Sequence, residues 1–121
     1  MLELYTINRC ALLVRPSKAM IDWLNTIFPT HPVSYTEHME QDNTDVYLIP
    51  EVAFLDDAKE WLKINYQPIF ESILYDWCAD EDLWPSPLDW VTFEQFCDYT
   101  IQSNVQDTVS AEEDEEYDDM G

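Results

Sequence analysis

Residues 9–15, RCALLVR, form a short apolar run enclosed by two arginines. The run is long enough for a strand and too short for a helix, so it predicts the central strand of a small sheet. Residues from Leu2 to Ile7 could extend this strand at its amino end. Pro16 closes the run, and Ser17 is suitably placed to cap a following helix.

The residues after Ser17 predict a helix and then a second strand. Apolar side chains recur at the spacing of one helix face until Pro29; they are Met20, Ile21, Leu24, Ile27 and Phe28. Residues 29–44 predict a polar connection, in which Ser34 could cap one helical turn. Residues 45–50, DVYLIP, alternate enough to predict a strand that Pro50 ends.

The longest periodic segment follows Asp56 and Asp57, whose negative charge is favourable at a helix N-terminus. Its apolar side chains keep one helical phase; they are Ala58, Trp61, Leu62, Tyr66, Ile69, Phe70, Ile73, Leu74 and Trp77. Pro68 lies inside this pattern. Because proline lacks a backbone donor and clashes with the preceding turn, we expect a kink or a break near Tyr66–Gln67.

The last third of the chain predicts a loop, a short helix and a strand. Residues 79–91 read as the loop, and Thr92 with Gln95 has the form of a capping box for a helix that ends near Cys97. From Tyr99 onward, alternating apolar residues predict a third strand, partly exposed or at a sheet edge. Continuation of the helix is the alternative.

These elements predict an α+β fold. It has a small sheet of about three strands, packed on one face by two to three helices, in the order β-α-β-α-α-β. Some strand pairs could be parallel, and the strand order stays open. Residues 1–110 are expected to form a single globular domain. Residues 111–121 are expected to be a disordered acidic tail, because acids fill seven of the eight positions from Glu112 to Asp119.

Composition argues against several kinds of enzyme. Glycine occurs once, at Gly121, so neither a phosphate-binding loop nor a dinucleotide fingerprint can be formed. The nucleophile elbow of serine hydrolases is also missing. We therefore predict no catalytic residues and no cofactor. An enzyme that uses carboxylates or a cysteine remains the less favoured alternative.

The cysteines and histidines do not form a metal-binding pattern. His31 and His38 lie seven residues apart, and Cys10, Cys78 and Cys97 are isolated, whereas zinc motifs place their ligands in close pairs. We expect the cysteines to be small buried apolar residues and predict no metal. Unpaired cysteines, together with the lack of a signal peptide or a membrane-spanning run, indicate a cytoplasmic protein.

Charge is the strongest functional signal in the sequence. The chain carries 26 acids and 5 bases, for a net charge of −21, and all five bases lie in the first 63 residues. Residues 64–121 hold 16 acids and no base. Direct binding to nucleic acid or to an anionic membrane is disfavoured, because it requires lysine and arginine. A basic protein partner is favoured, such as a nuclease or a nucleic-acid-binding protein.

The acid-only half of the chain supplies the candidate partner-binding residues. They are Glu71, Asp76, Asp80, Glu81, Asp82, Trp84, Asp89, Trp90, Glu94 and Asp98. Trp84 and Trp90 could anchor an interface, but they could equally cover the end of the long helix and complete the core. The run from Asp80 to Asp82 lacks the spacing of a calcium loop and favours a solvated loop.

Several segments together resemble a family of small acidic bacterial proteins of unknown function. They are residues 46–51 (VYLIPE), 57–62 (DAKEWL), 69–71 (IFE), 82–85 (DLWP) and 92–93 (TF). The resemblance covers roughly residues 9–109. It implies a fold and no activity, because the matching residues are those of packing and capping, and Pro68 departs from the family's pattern.

Two functional interpretations therefore stand beside the enzyme. In the favoured one, the protein binds a basic protein surface without catalysis, as an inhibitor, an immunity protein or a nucleic-acid mimic. In the other, it is a structural or housekeeping domain whose charge serves only solubility.

Overall fold

The structure, a computed structural model, describes residues 1–38 and 43–110. Its helices are α1 (Lys18–Ile27), α2 (Tyr35–His38), α3 (Leu55–Trp77) and α4 (Trp90–Phe96), and a 3₁₀ turn spans Glu81–Leu83. Its strands are β1 (Tyr5–Thr6), β2 (Arg9–Pro16), β3 (Asp45–Pro50), β4 (Cys97–Gln102) and β5 (Gln106–Asp107).

The main sheet has three strands in the order β3-β2-β4, and both pairs are antiparallel. The run at residues 9–15 is thus the central strand, as predicted, with Leu12 opposite Tyr47 on one side and Ile101 on the other. β4 lies at an edge, and the third strand is confirmed. The alternative of a continued helix is wrong, because α4 ends at Phe96 and the chain enters β4 directly.

The predicted extension of the central strand through Leu2–Ile7 is wrong. Instead, β1 pairs with β5 in a separate two-stranded antiparallel sheet, in which Tyr5 lies opposite Asp107. The Ile7 N–H donates to the Val105 carbonyl at 3.2 Å and continues this pairing. The two chain segments that leave the main sheet at the same end therefore satisfy each other's backbone groups.

The core lies between one face of the main sheet and the helices. Side chains alternate along β2, so Cys10, Leu12 and Val14 all point to this face, and each is at most 1% exposed. α3 supplies the facing apolar surface through its six buried residues: Ala58, Leu62, Ile69, Phe70, Ile73 and Leu74. The opposite face of the sheet stays partly open, with Val46 and Leu48 more than half exposed.

Aromatic rings connect α3 to α4. The Phe70 and Phe93 rings are both fully buried and meet edge to face, with centroids 5.5 Å apart and an interplanar angle of 75°. This geometry is favourable because the positive edge of one ring faces the negative face of the other. The contact fixes α4 on the same core that α3 forms with the sheet.

Ser17 caps α1 as predicted. Its Oγ accepts the Met20 N–H at 3.4 Å, and its hydroxyl donates to the Gln95 carbonyl at 2.5 Å. The Ser17 N–H also donates to the Phe96 carbonyl at 2.8 Å. One residue therefore begins α1 and ties it to the end of α4. Ser34 caps the single turn of α2 in the predicted manner, accepting the Glu37 N–H at 3.4 Å.

Of the kink or break predicted near Tyr66–Gln67, the break is wrong, because α3 runs uninterrupted from Leu55 to Trp77 with Pro68 inside it; the kink stays a prediction. Pro68 leaves the Ile64 carbonyl without its helical donor. Both residues lie on the exposed side of the helix, where the Ile64 side chain is 78% exposed, so water can satisfy that carbonyl. Burial of apolar residues before and after Pro68 outweighs a cost of about 3 kcal/mol.

The predicted capping box at Thr92 is also wrong. α4 begins at Trp90, and its N-cap is Asp89, whose Oδ1 accepts the Thr92 N–H at 2.9 Å. Aspartate caps a helix at least as well as threonine does, which explains the earlier start of α4. The predicted end near Cys97 is correct. The predicted tail, residues 111–121, lies outside the described residues.

Replacing Phe93 with alanine should reduce the free energy of unfolding by about 3–5 kcal/mol, because it leaves a cavity where α3, α4 and the sheet meet. Urea denaturation followed by circular dichroism measures this change. Phe54→Ala is the matched control: that ring is 73% exposed, so the effect should stay within about 0.5 kcal/mol. Equal losses in the two variants would contradict the assignment of the core.

Candidate functional site

The eight carboxylates in the predicted partner-binding set are all exposed. Glu71 and Asp76 lie on the second half of α3, and Asp80, Glu81 and Asp82 form and cap the 3₁₀ turn. Asp89 and Glu94 belong to the start and middle of α4, and Asp98 lies on β4. The fold thus distributes them over consecutive elements and turns none of them into the core.

None of these eight carboxylates forms an ion pair at or below 4 Å with a described base, although Arg15 lies opposite Asp98 in the β2–β4 register. Within residues 1–38 and 43–110, the one ion pair at or below 4 Å joins Lys18 to Asp22 at 2.9 Å, and both of its side chains are well exposed. It lies on α1, outside the predicted set. The eight acids on α3, the 3₁₀ turn, α4 and β4 therefore lie at the surface outside any ion pair of the described residues.

Two of the eight carboxylates also hold local structure. Asp80 accepts the Asp82 N–H at 3.0 Å and begins the 3₁₀ turn. Asp89 accepts the N–H and the hydroxyl of Thr92 at 2.9 and 2.8 Å. These hydrogen bonds to Thr92 lower the pKa of Asp89, because they favour its charged form. Asp89 therefore keeps its charge while it caps α4.

Glu94 has an aromatic neighbour. The Tyr99 hydroxyl donates to Glu94 Oε2 at 3.4 Å. The pKa of Tyr99 is raised, first by burial of the phenol and then by the negative charge of Glu94. Tyr99 thus stays a neutral donor that links β4 to α4.

The structure packs the two tryptophans of the predicted set against the core. The Trp84 indole N–H donates to the Cys78 carbonyl at 2.7 Å and so satisfies an acceptor where α3 ends. The Trp90 ring stacks on Phe93 and meets Tyr66 edge to face, with centroids 5.5 Å apart in each case. Both positions agree with the structural alternative. Contact between their exposed edges and a partner stays a prediction.

The three cysteines are buried and unpaired, as expected of small apolar residues. The pKa of Cys97 is raised to about 12, mainly by burial and further by the charge of Asp98. A thiol acts as a nucleophile only as its thiolate, so Cys97 is chemically inert at neutral pH.

The described ranges contain no group of three or more His, Cys, Asp or Glu side chains arranged to hold a metal ion. The Asp80–Asp82 run is exposed in its 3₁₀ turn. None of the helices in the same ranges is both long enough and apolar enough to cross a membrane.

Two shallow clefts lie beside the main sheet. The first, of about 270 Å³, is bounded by β2, β3 and the end of α3, and it is lined by Val14, Pro16, Asn43, Asp45, Ile73, Asp76 and Trp77. The second, of about 280 Å³, lies on the open face and is lined by Leu13, Arg15, Thr44, Asp98, Tyr99 and Thr100. Two of the predicted partner-binding residues line these clefts: Asp76 lines the first and Asp98 lines the second.

Asp45 and Asp76 line the first cleft together, and Tyr47 lies near both of them. Burial is the main cause that raises its pKa, and the negative charges of Asp45 and Asp76 raise it further, while a hydrogen bond with Ser72 opposes them. Sequence reasoning missed Asp45 because it belongs to the half of the chain that also carries the bases. Its position on β3, next to the buried core face, was the available signal.

No family model, curated protein or solved structure matches the chain. The resemblance to a family of small acidic bacterial proteins therefore stays a prediction.

The three native thiols should resist modification in the folded protein, because all are at most 3% exposed. Ellman's reagent at pH 8 should label none of them within minutes and all of them after addition of guanidinium chloride. Ser103→Cys, which places a thiol at an exposed position, is the positive control. Rapid labelling of a native cysteine without denaturant would contradict this expectation and favour the cysteine-enzyme alternative.

Proposed function

We propose that this protein is a non-catalytic cytoplasmic interaction protein that binds a basic protein surface. Inhibitors, immunity proteins and nucleic-acid mimics act in this way. The observation that carries the proposal is the exposure of all eight candidate carboxylates, none of which forms an ion pair at or below 4 Å with a described base. An acidic surface of this kind matches the lysines and arginines that a nuclease or nucleic-acid-binding protein presents to phosphates.

The charge distribution supports a fast association step. Summed carboxylate charge attracts a cationic partner over distances of about one Debye length, roughly 10 Å at 0.1 M salt. The same charge repels nucleic acid and anionic lipid, since the second half of the chain has no base with which to displace counterions. Binding is therefore selective for positively charged macromolecules.

The rigid scaffold supports retention of the partner. The acids of α4 and the 3₁₀ turn stand on elements that are capped by Asp89 and Asp80 and packed through the aromatic core. Side chains held on ordered elements lose less conformational entropy on binding than side chains of a flexible segment. The half-buried rings of Trp84 and Trp90 can add apolar contact beside the acids.

A fourfold neutral variant tests the proposal: Glu71→Gln, Asp76→Asn, Glu94→Gln and Asp98→Asn. Its matched control removes four charges from the half of the chain that carries the bases: Glu51→Gln, Asp56→Asn, Asp57→Asn and Glu60→Gln. Proteins captured from a cell extract at 50 mM salt are identified by mass spectrometry, and their affinities are then measured with purified components.

We expect the native protein and the control to capture the same basic proteins, with dissociation constants between nanomolar and micromolar. Affinity should fall at least tenfold between 50 and 300 mM salt, because opposite surface charges are screened. The fourfold variant should lose the capture. If all three proteins capture the same set, or if none captures a basic protein, the charge serves only solubility and the proposal is wrong.

A further inference from the structure

We propose that residues 83–91 (LWPSPLDWV) form the apolar centre of the interface. There they receive a segment of the basic partner that carries apolar side chains between its lysines and arginines. This inference rests on the proposed function, because the partner supplies the basic segment. It adds to that function a defined place of contact and a specified partner chemistry, whereas charge alone attracts any basic protein.

The 83–91 segment exposes a continuous run of apolar residues. It contains seven of them, counting its two prolines, and none is buried. Leu83 and Val91 are 41% and 60% exposed, and between them lie the half-buried Trp84, Leu88 and Trp90. Single exposed apolar residues are ordinary at a protein surface, whereas a contiguous group of them marks a binding surface. The segment therefore has the composition of an interface centre, in which aromatic and aliphatic side chains are concentrated.

Two hydrogen bonds hold the 83–91 segment along the second half of α3. The Trp84 indole N–H donates to the Cys78 carbonyl at 2.7 Å, and the Tyr66 hydroxyl donates to the Leu88 carbonyl at 3.1 Å. Cys78 is the C-cap of α3, and Tyr66 lies twelve residues before it, so the two attachment points are roughly 18 Å apart along the helix axis. The segment therefore runs back along α3 over this distance.

The conformation of the segment is fixed before a partner binds. Its two prolines, Pro85 and Pro87, restrict the backbone. The Trp90 ring is held by its contacts with Phe93 and Tyr66, at centroid distances of 5.5 Å each. A surface that is ordered in the free protein loses little conformational entropy on binding, so the gain from apolar contact is retained as affinity.

The charges around the segment decide what kind of partner covers it. The acids Asp80–Asp82 stand immediately before it, and Asp89 and Glu94 lie at its α4 end. All five are exposed, and residues 64–121 contain no base. Positive groups of a partner are thus favoured at both ends of the segment, with apolar side chains between them. A second copy of this chain is disfavoured, because it would bring its own acids against these.

The test uses the full chain and two capped peptides of equal charge. Each peptide has two arginines at either end; its four central residues are leucine and valine in one peptide, and serine and threonine in the other. Leu83→Thr with Val91→Thr changes the most exposed apolar side chains of the segment without changing charge. The matched control, Val46→Thr with Leu48→Thr, makes the same replacements at exposed positions on the open face of the main sheet. Fluorescence anisotropy of the labelled peptides measures binding.

We expect the native protein to bind the apolar-centred peptide about fivefold more tightly than the polar-centred one at 50 mM salt. Leu83→Thr with Val91→Thr should weaken binding of the apolar-centred peptide about tenfold and that of the polar-centred peptide less than twofold. The loss should lie in the dissociation rate and leave the salt dependence unchanged, because apolar contacts are not screened. The control should weaken neither peptide more than twofold. Val91→Thr alone, which preserves side-chain volume, should show a smaller, measurable loss and keeps the test valid if the double variant unfolds.

Equal affinity of the native protein for the two peptides would overturn the inference, and so would equal weakening in the double variant and the control. The proposed function would stand in both cases, because the polar-centred peptide would still bind through charge. A captured basic protein whose dissociation rate is the same for the native protein and the double variant would also overturn it.

Sedimentation equilibrium tests the remaining occupant. Self-association of the native protein that the double variant abolishes would overturn the inference, because a second copy would then cover the segment. If neither peptide nor any basic protein binds at low salt, the proposed function itself fails.

Discussion

Packing of one apolar face of α3 against β2 is the contact on which the rest of the molecule depends. The chain carries 26 acids, and burying any of them without a partner would cost several kcal/mol. Leu62, Phe70 and Leu74 instead supply the buried surface, and each contributes roughly 1.5–3 kcal/mol on leaving water. Because this face is continuous along the helix, the acids of α3 are confined to its other sides.

This segregation explains both the fold and its surface. The rings of Phe70 and Phe93 extend the core to α4, and Ser17 joins the end of α4 to the start of α1. The main sheet, α1, α3 and α4 are thus joined by apolar contacts and hydrogen bonds between described residues. The carboxylates are left at the surface, where acids far outnumber bases.

Patterns that depend on neighbouring residues could be read from the sequence. The apolar run at residues 9–15, the cap at Ser17 and the periodicity of α3 each predict an element that the structure confirms. Exposure of the eight candidate acids also followed, since unpaired charge avoids the core. The wrong predictions concern residues whose structure depends on solvent or on a distant segment.

Pro68 is tolerated inside α3 because it faces water, and β1 does not extend the central strand because it pairs with β5. That Asp45 and Asp76 line the same cleft could not be predicted for the same reason, because it depends on how α3 packs beside β3.

The central claim is that the surface charge of the folded protein is uncompensated, and the dependence of stability on salt tests it most directly. Urea denaturation at 20 and 200 mM sodium chloride gives the free energy of unfolding at two strengths of screening. The account predicts that stability rises with salt, because screening relieves the repulsion among carboxylates that folding brings together. A fall in stability over the same interval would contradict it, since favourable ion pairs would then hold the fold together.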